Sequence, residues 1–238
     1  MPRYTTVLLD ADNTLFDFDA AERAALERTL GERGCPPSAF ALERYLSINR
    51  ALWAAFDRGE VEQPFLLTER FRLLGEALGR AWDPAEMNDA YLTALGEESR
   101  LLPGAEELCR ALAAAGCRLA LATNGAAKAQ RARLEGSPLA DLFSGVFISG
   151  EMGVQKPQRA FFDRALKALG EPDRSRTVMV GDGLNSDIRG GLEAGIDTIW
   201  YAPGGQQAPA DPAPTYTARS FEEVRTIILD EGAGRHER

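Results

Sequence analysis

The chain has 238 residues, 45% hydrophobic and 26% charged, with a formal charge of −9; it can bury a full core, as one domain or as one domain with an insert. Such an acidic balance excludes broad nucleic-acid binding, though a local basic pocket could still hold phosphate. No apolar stretch is long enough to span a bilayer and no signal-peptide pattern precedes the first strand, so the sequence predicts a cytoplasmic protein with no membrane partner.

The first element is an apolar, β-branched run, Thr6-Val7-Leu8-Leu9, that stops at two carboxylates one residue apart, Asp10 and Asp12. A strand packed on both faces omits polar alternation, so the run predicts a buried strand. In open α/β sheets ligands bind just beyond the carboxyl ends of strands. Two acids there repel each other unless a cation or a chemical task offsets the cost. A calcium-binding loop counted from Asp10 would need Gly and Glu where Leu15 and Ala21 stand. A dinucleotide-binding turn would be glycine-rich, and Ala11-Asp12-Asn13 is not. A carboxylate nucleophile or metal ligand at a strand tip remains.

Helical signals follow for some eighty residues. Asp19 with Glu22 has capping-box spacing for a helix over 20–33, and further helices are predicted over 38–57, 63–78 and from Pro84 to about Glu98. No strand signal interrupts them, which predicts a helical cap domain over 17–99 inserted into a core domain of 1–16 and 100–238. After Pro103-Gly104 the pattern alternates: helix 105–115, strand 118–122, a helix, strand 146–149, helix 158–169, strand 177–180, helix 187–194 and strand 198–201. A proline- and glycine-rich loop, 203–214, precedes a last helix that starts at Ser220. Such alternation predicts an α/β fold with a doubly wound, mostly parallel sheet.

Cys35, Cys109 and Cys117 lack metal-ligand spacing and read as reduced core residues. The single histidine, His236, lies in a polar tail, so acid-base chemistry must come from carboxylates. Polar groups follow four predicted strands: Asp10 and Asp12; Thr123 and Asn124; Lys156-Pro157; Asp182 and Asp187. Taken singly these are turns, helix caps and a surface lysine. Strand ends of a parallel sheet share one edge, so together they predict a site.

This set resembles the four motifs of the haloacid dehalogenase superfamily of phosphohydrolases, as Asp10-Ala11-Asp12-Asn13-Thr14-Leu15, Thr123-Asn124, Lys156-Pro157, and Gly181-Asp182 with Asp187. Asn13 stands where the family most often has glycine, and asparagine tolerates the left-handed conformation. Within the superfamily the chain looks most like the bacterial pyrimidine 5′-nucleotidase branch, in Asn49 to Trp53, Gly150 to Pro157 and Asp173-Arg174-Ser175-Arg176. The resemblance implies a Mg2+-dependent phosphomonoesterase, active as a monomer or homodimer on small phosphate esters, nucleoside monophosphates foremost. It implies Asp10 as nucleophile, Asp12 as general acid and base, and Thr123, Asn124 and Lys156 on the phosphoryl group. Asp10, Asp12 (through its carbonyl), Asp182 and, from further out, Asp187 would serve the metal.

A halide leaving group needs no proton, so Asp12 favours a phosphatase over a dehalogenase. A sugar-phosphate phosphatase, a phosphomutase and a non-catalytic phosphate-binding regulator are the alternatives. Asn49, Arg50, Trp53 and Asp57 fall on one helical face, which makes Asn49 and Trp53 candidates for reading a nucleobase. Trp53 as an anchor of the cap's own core is the competing expectation.

Overall fold

The computed structural model describes residues 1–230; His236 lies outside the described residues. The chain divides into two compact units, Met1–Asp17, Arg100–Ala127 and Leu134–Arg238 in one, Phe18–Ser99 and Lys128–Arg133 in the other.

The first unit is built on a six-stranded parallel sheet in the order β3-β2-β1-β4-β5-β6. The strands are β1 (Thr6–Leu9), β2 (Arg118–Thr123), β3 (Phe143–Ile148), β4 (Thr177–Gly181), β5 (Asp197–Tyr201) and β6 (Tyr216–Ala218). The expected doubly wound α/β architecture is therefore present, with β1 at the centre where the strand order reverses. Alternation along each strand divides the core. Val7, Leu9, Leu119, Leu121, Val178 and Val180 pack on one face with Leu108 and Leu112 of α5 (Ala105–Ala114) and Val224 and Ile228 of α10 (Phe221–Leu229). Leu8, Ala120 and Met179 pack on the other with Phe161, Phe162 and Ala165 of α8 (Arg159–Ala168). Burial on both faces explains why the central strands carry no polar alternation. Four details differ from the sequence expectation: β3 starts three residues earlier, a short helix α7 (Ser149–Met152) follows it, the helix expected over 187–194 is a π-helical turn (Leu184–Arg189) continued by α9 (Gly190–Glu193), and β6 adds an unexpected edge strand.

The second unit contains α1 (Phe18–Glu32), α2 (Ala39–Asp57), α3 (Gln63–Leu78) and α4 (Pro84–Gly96). Its helix ends are closed by local signals. Ser38 accepts a hydrogen bond from the Ala41 N–H, Gly79 closes α3 at φ 63°, and Asp83 accepts from the Ala85 and Glu86 N–H groups. Helix α1 begins at Phe18, so Asp19 sits inside its first turn. The unit packs around the rings of Tyr45, Phe71 and Tyr91, whose centroids are 5.5–5.7 Å apart, with the Arg70 guanidinium stacked 4.7 Å from the Tyr91 centroid. Residues 128–133, from α6 (Ala127–Glu135), join this unit. There Ala132 lies so close to Gly96 that a Cβ on the glycine would stand 2.9 Å away, and Arg133 Nε donates to the Glu98 carbonyl at 3.0 Å.

Candidate active site

Four parallel strands deliver the polar residues to one edge of the sheet. Asp10 follows β1 directly, and its backbone N–H donates to the Val180 carbonyl at 2.9 Å, which locks the tip of β1 to β4. The chain then turns through Asn13 at φ 57°, the left-handed conformation expected of it. Thr123 ends β2, and its hydroxyl accepts from the Gly125 N–H at 3.0 Å. Lys156 follows β3 and Asp182 follows β4. A π-helical turn, Leu184–Arg189, carries Asp187 back towards the strand end.

Lys156 is the hub. Its ammonium is 1% exposed and donates to Asp10 Oδ1 at 2.6 Å, Asp187 Oδ1 at 2.6 Å and the Ala122 carbonyl at 2.7 Å, which uses all three of its donors. Asn124 fixes the backbone of this lysine: its Nδ2 donates to the Lys156 carbonyl at 2.9 Å, and its Oδ1 accepts from the Lys156 N–H at 3.0 Å. Asp187 is pinned a second time, its Oδ2 accepting from the Gly183 N–H at 3.0 Å. Glycine is required nearby, because a Cβ at position 181 would stand 2.2 Å from Asp187 Oδ2.

Carboxylate oxygens of Asp10, Asp182 and Asp187 lie within 4.8 Å of one another. Burial raises the Asp10 carboxyl well above the usual range; Lys156 opposes this, and Asp187, Asp182 and Asp12 add to it. Burial, reinforced by Asp187, pushes Asp182 up to about 7. For Lys156 burial acts downward, but Asp10 and Asp187 outweigh it, so the ammonium holds its proton more tightly than a free lysine. Three carboxylates thus share one ammonium. An all-oxygen cluster with an excess of negative charge suits a hard divalent cation, which would allow Asp10 and Asp182 to ionise together.

Of the other residues picked out from sequence, Asp12 is half-buried two residues beyond Asp10. Asn49 and Trp53 belong to the helical unit. Asn49 is 5% exposed, with Nδ2 donating to Glu22 Oε1 at 2.6 Å and Oδ1 accepting from Arg70 at 3.2 Å. Trp53 is half-buried, its ring edge-on to Phe56 with centroids 5.4 Å apart. Sequence reasoning missed the groups that hold Asp182. The Thr14 hydroxyl accepts from the Asp182 N–H at 3.1 Å and donates to its Oδ1 at 3.3 Å, while the Trp200 indole donates to its carbonyl at 3.0 Å. Thr14 lay within the first motif without a role, and Trp200 had no local signal because it stands in the next strand.

Comparison with known proteins agrees with this geometry. Pyrimidine 5′-nucleotidase YjjG of Escherichia coli is 35% identical over 95% of this chain and 98% of its own length. Pyrimidine 5′-nucleotidase PynA of Streptococcus pneumoniae is 34% identical over 93% of each. The crystal structure of the putative HAD-hydrolase YfnB from Bacillus subtilis, bound to magnesium, superposes with a TM-score of 0.89 at 33% identity, covering 95% of this chain and 99% of that one. The haloacid dehalogenase-like hydrolase family model matches residues 4–195. The strand-edge cluster and these matches agree, and the chain belongs to the haloacid dehalogenase-like hydrolases.

Proposed function

We propose that the chain is a Mg2+-dependent phosphomonoester hydrolase that works through an aspartyl-phosphate on Asp10, with pyrimidine nucleoside 5′-monophosphates as its preferred substrates. The observation that carries this reading is the buried ion pair of Lys156 with Asp10 at 2.6 Å beside two further carboxylates. A phosphate dianion repels an anionic nucleophile, so the site must supply positive charge before a carboxylate can approach in line. Lys156 provides one such charge. Mg2+ held by Asp10, Asp182 and the Asp12 carbonyl, with Asp187 supporting, would neutralise the phosphoryl oxygens.

In the first step a carboxylate oxygen of Asp10 forms the new bond to phosphorus, and the bond to the leaving oxygen breaks. The electron pair departs with that oxygen, and the Asp12 carboxyl gives it a proton, releasing the alcohol. Water then attacks phosphorus. Asp12 takes the water's proton, the Asp10–phosphorus bond breaks, and inorganic phosphate leaves with both carboxyls restored. Thr123, at the end of β2, steadies the phosphoryl oxygens, Lys156 contributes its positive charge while its three donors stay on Asp10, Asp187 and the Ala122 carbonyl, and Asn124 acts by holding the Lys156 backbone.

Substrate preference rests on the two nucleotidases among the relatives and on Trp53, whose indole offers a surface for base stacking, worth roughly 1–3 kcal/mol. Asn49, engaged at both ends of its amide by Glu22 and Arg70, serves by holding α2 in the helical unit rather than by reading the base. A panel of nucleoside 5′-monophosphates, sugar phosphates, p-nitrophenyl phosphate and 2-chloropropionate tests the reading. Fastest phosphate release from pyrimidine nucleotides is expected. Halide release without phosphatase activity overturns the reaction class, and faster turnover of sugar phosphates overturns the substrate.

A further inference from the structure

Trp200 is buried, at 6% exposure, and stands beside Gly181 in the register of β4 and β5. Its indole packs with Ile188 and Ala202, and Leu184 lies against the same cluster. Leu184 and Ile188 belong to the π-helical turn that joins Asp182 to Asp187. The indole Nε1 donates to the Asp182 carbonyl at 3.0 Å. That carbonyl and the Gly183 N–H are the two ends of one planar peptide group, and the Gly183 N–H donates to Asp187 Oδ2 at 3.0 Å. One peptide plane is therefore held at its oxygen by Trp200 and at its nitrogen by Asp187.

From this geometry we propose that Trp200 is a positioning residue for the divalent-cation site: it fixes the rotation of the 182–183 peptide and thereby keeps Asp187 oriented beside Asp182. The inference rests on the metal reading above. Without the indole N–H the half-buried Asp182 carbonyl loses its donor, and the plane is free to tilt towards another. The Gly183 N–H then swings away from Asp187, which loses one of its two anchors, while the Thr14 hydroxyl keeps its hold on the Asp182 carboxylate. Thr14 still holds the Asp182 N–H, so the lesion is confined to the peptide that follows. The effect falls on cation affinity rather than on substrate binding.

Trp200→Phe keeps an aromatic ring and removes the donor. Calorimetric titration with Mg2+ should give an affinity about tenfold weaker than the parent's, with kcat largely recovered at saturating Mg2+ and KM for the substrate little changed. A variant that melts earlier without cation yet binds Mg2+ as the parent does overturns the inference and leaves the metal reading intact. A parent that binds no Mg2+ by calorimetry overturns both. If Trp200→Phe does not fold, the protein with Trp53→Phe and Trp82→Phe carries the test, because its indole emission comes from Trp200 alone. That emission should change on Mg2+ titration with the calorimetric midpoint; emission that stays constant through saturation overturns the inference.

Discussion

Replacing Lys156 by Met removes the ammonium and keeps an unbranched side chain of similar length. The lysine is fully buried and sits 2.6 Å from one oxygen of Asp10 and 2.6 Å from one of Asp187. Breaking a buried ion pair from one side costs about 3–5 kcal/mol, because the partner charge is left without compensation. The Ala122 carbonyl also loses its donor, for about 1 kcal/mol more, which proton uptake by Asp10 partly offsets. A net loss of about 3–5 kcal/mol in a chain of this size lowers the melting temperature by roughly 6–20 °C. Thermal unfolding in EDTA, followed by circular dichroism, measures it. Mg2+ should restore part of the loss by supplying the missing charge, whereas kcat should stay down by about 10²–10³ because the fixed positive charge beside Asp10 is gone. A melting temperature within about 2 °C of the parent's, with kcat retained, would refute the reasoning.

Three further outcomes follow from the same geometry. Asp12→Asn should slow nucleotide hydrolysis by about 10²–10⁴ while slowing an activated aryl phosphate much less, since only the alkoxide needs a proton to leave; equal losses in steady-state assays of both count against the acid role. Gly181→Ala places a Cβ 2.2 Å from Asp187 Oδ2, so the carboxylate must move off Lys156; urea unfolding should show about 1–3 kcal/mol of destabilisation together with loss of activity, and an active, fully stable variant would contradict this. With the folded pKa of Asp182 raised to about 7 from 3.8, the cation-free native state holds a proton that the unfolded chain has released between about pH 4 and pH 7, so its stability falls as pH rises through that window. Mg2+ competes with that proton, so the Mg2+-induced rise in melting temperature should be larger at about pH 8 than at about pH 5.5; an equal or larger rise at the acid pH would remove Asp182 from the ligand set.

The strand tips were legible because central parallel strands are buried on both faces, and their apolar runs end where the polar chemistry begins. Asp10, Thr123 and Asp182 could be placed on one edge from that alone. The helical insert was legible as a run of helical signals with no strand between them, and its ends are closed by local hydrogen bonds at Ser38, Gly79 and Asp83 that do not depend on distant packing, whereas the Asp19 capping spacing falls inside α1. β6 was not, since it has three residues after a proline-rich loop and forms only at the edge of a finished sheet. The early start of β3 at Phe143-Ser144-Gly145 carries weak strand propensity and coincides with a register shift against β2 at Leu119 and Ala120. Spacing put Asn49 and Trp53 on one face of α2 but could not say what each meets. The partner of Asn49, Arg70, comes from the next helix. Trp200 was hidden for the same reason, as its hydrogen bond to Asp182 crosses from β5 to the end of β4.

The covalent step on Asp10 is the centre of the account, and trapping tests it most directly. Asp12→Asn protein mixed with p-nitrophenyl phosphate and Mg2+, quenched in acid and digested, should yield the peptide containing Asp10 with one added phosphoryl group, and the same treatment of an Asp10→Asn, Asp12→Asn protein should yield none. An aryl phosphate burst with no phosphorylated Asp10 peptide, or phosphate found on another residue in both proteins, would contradict it.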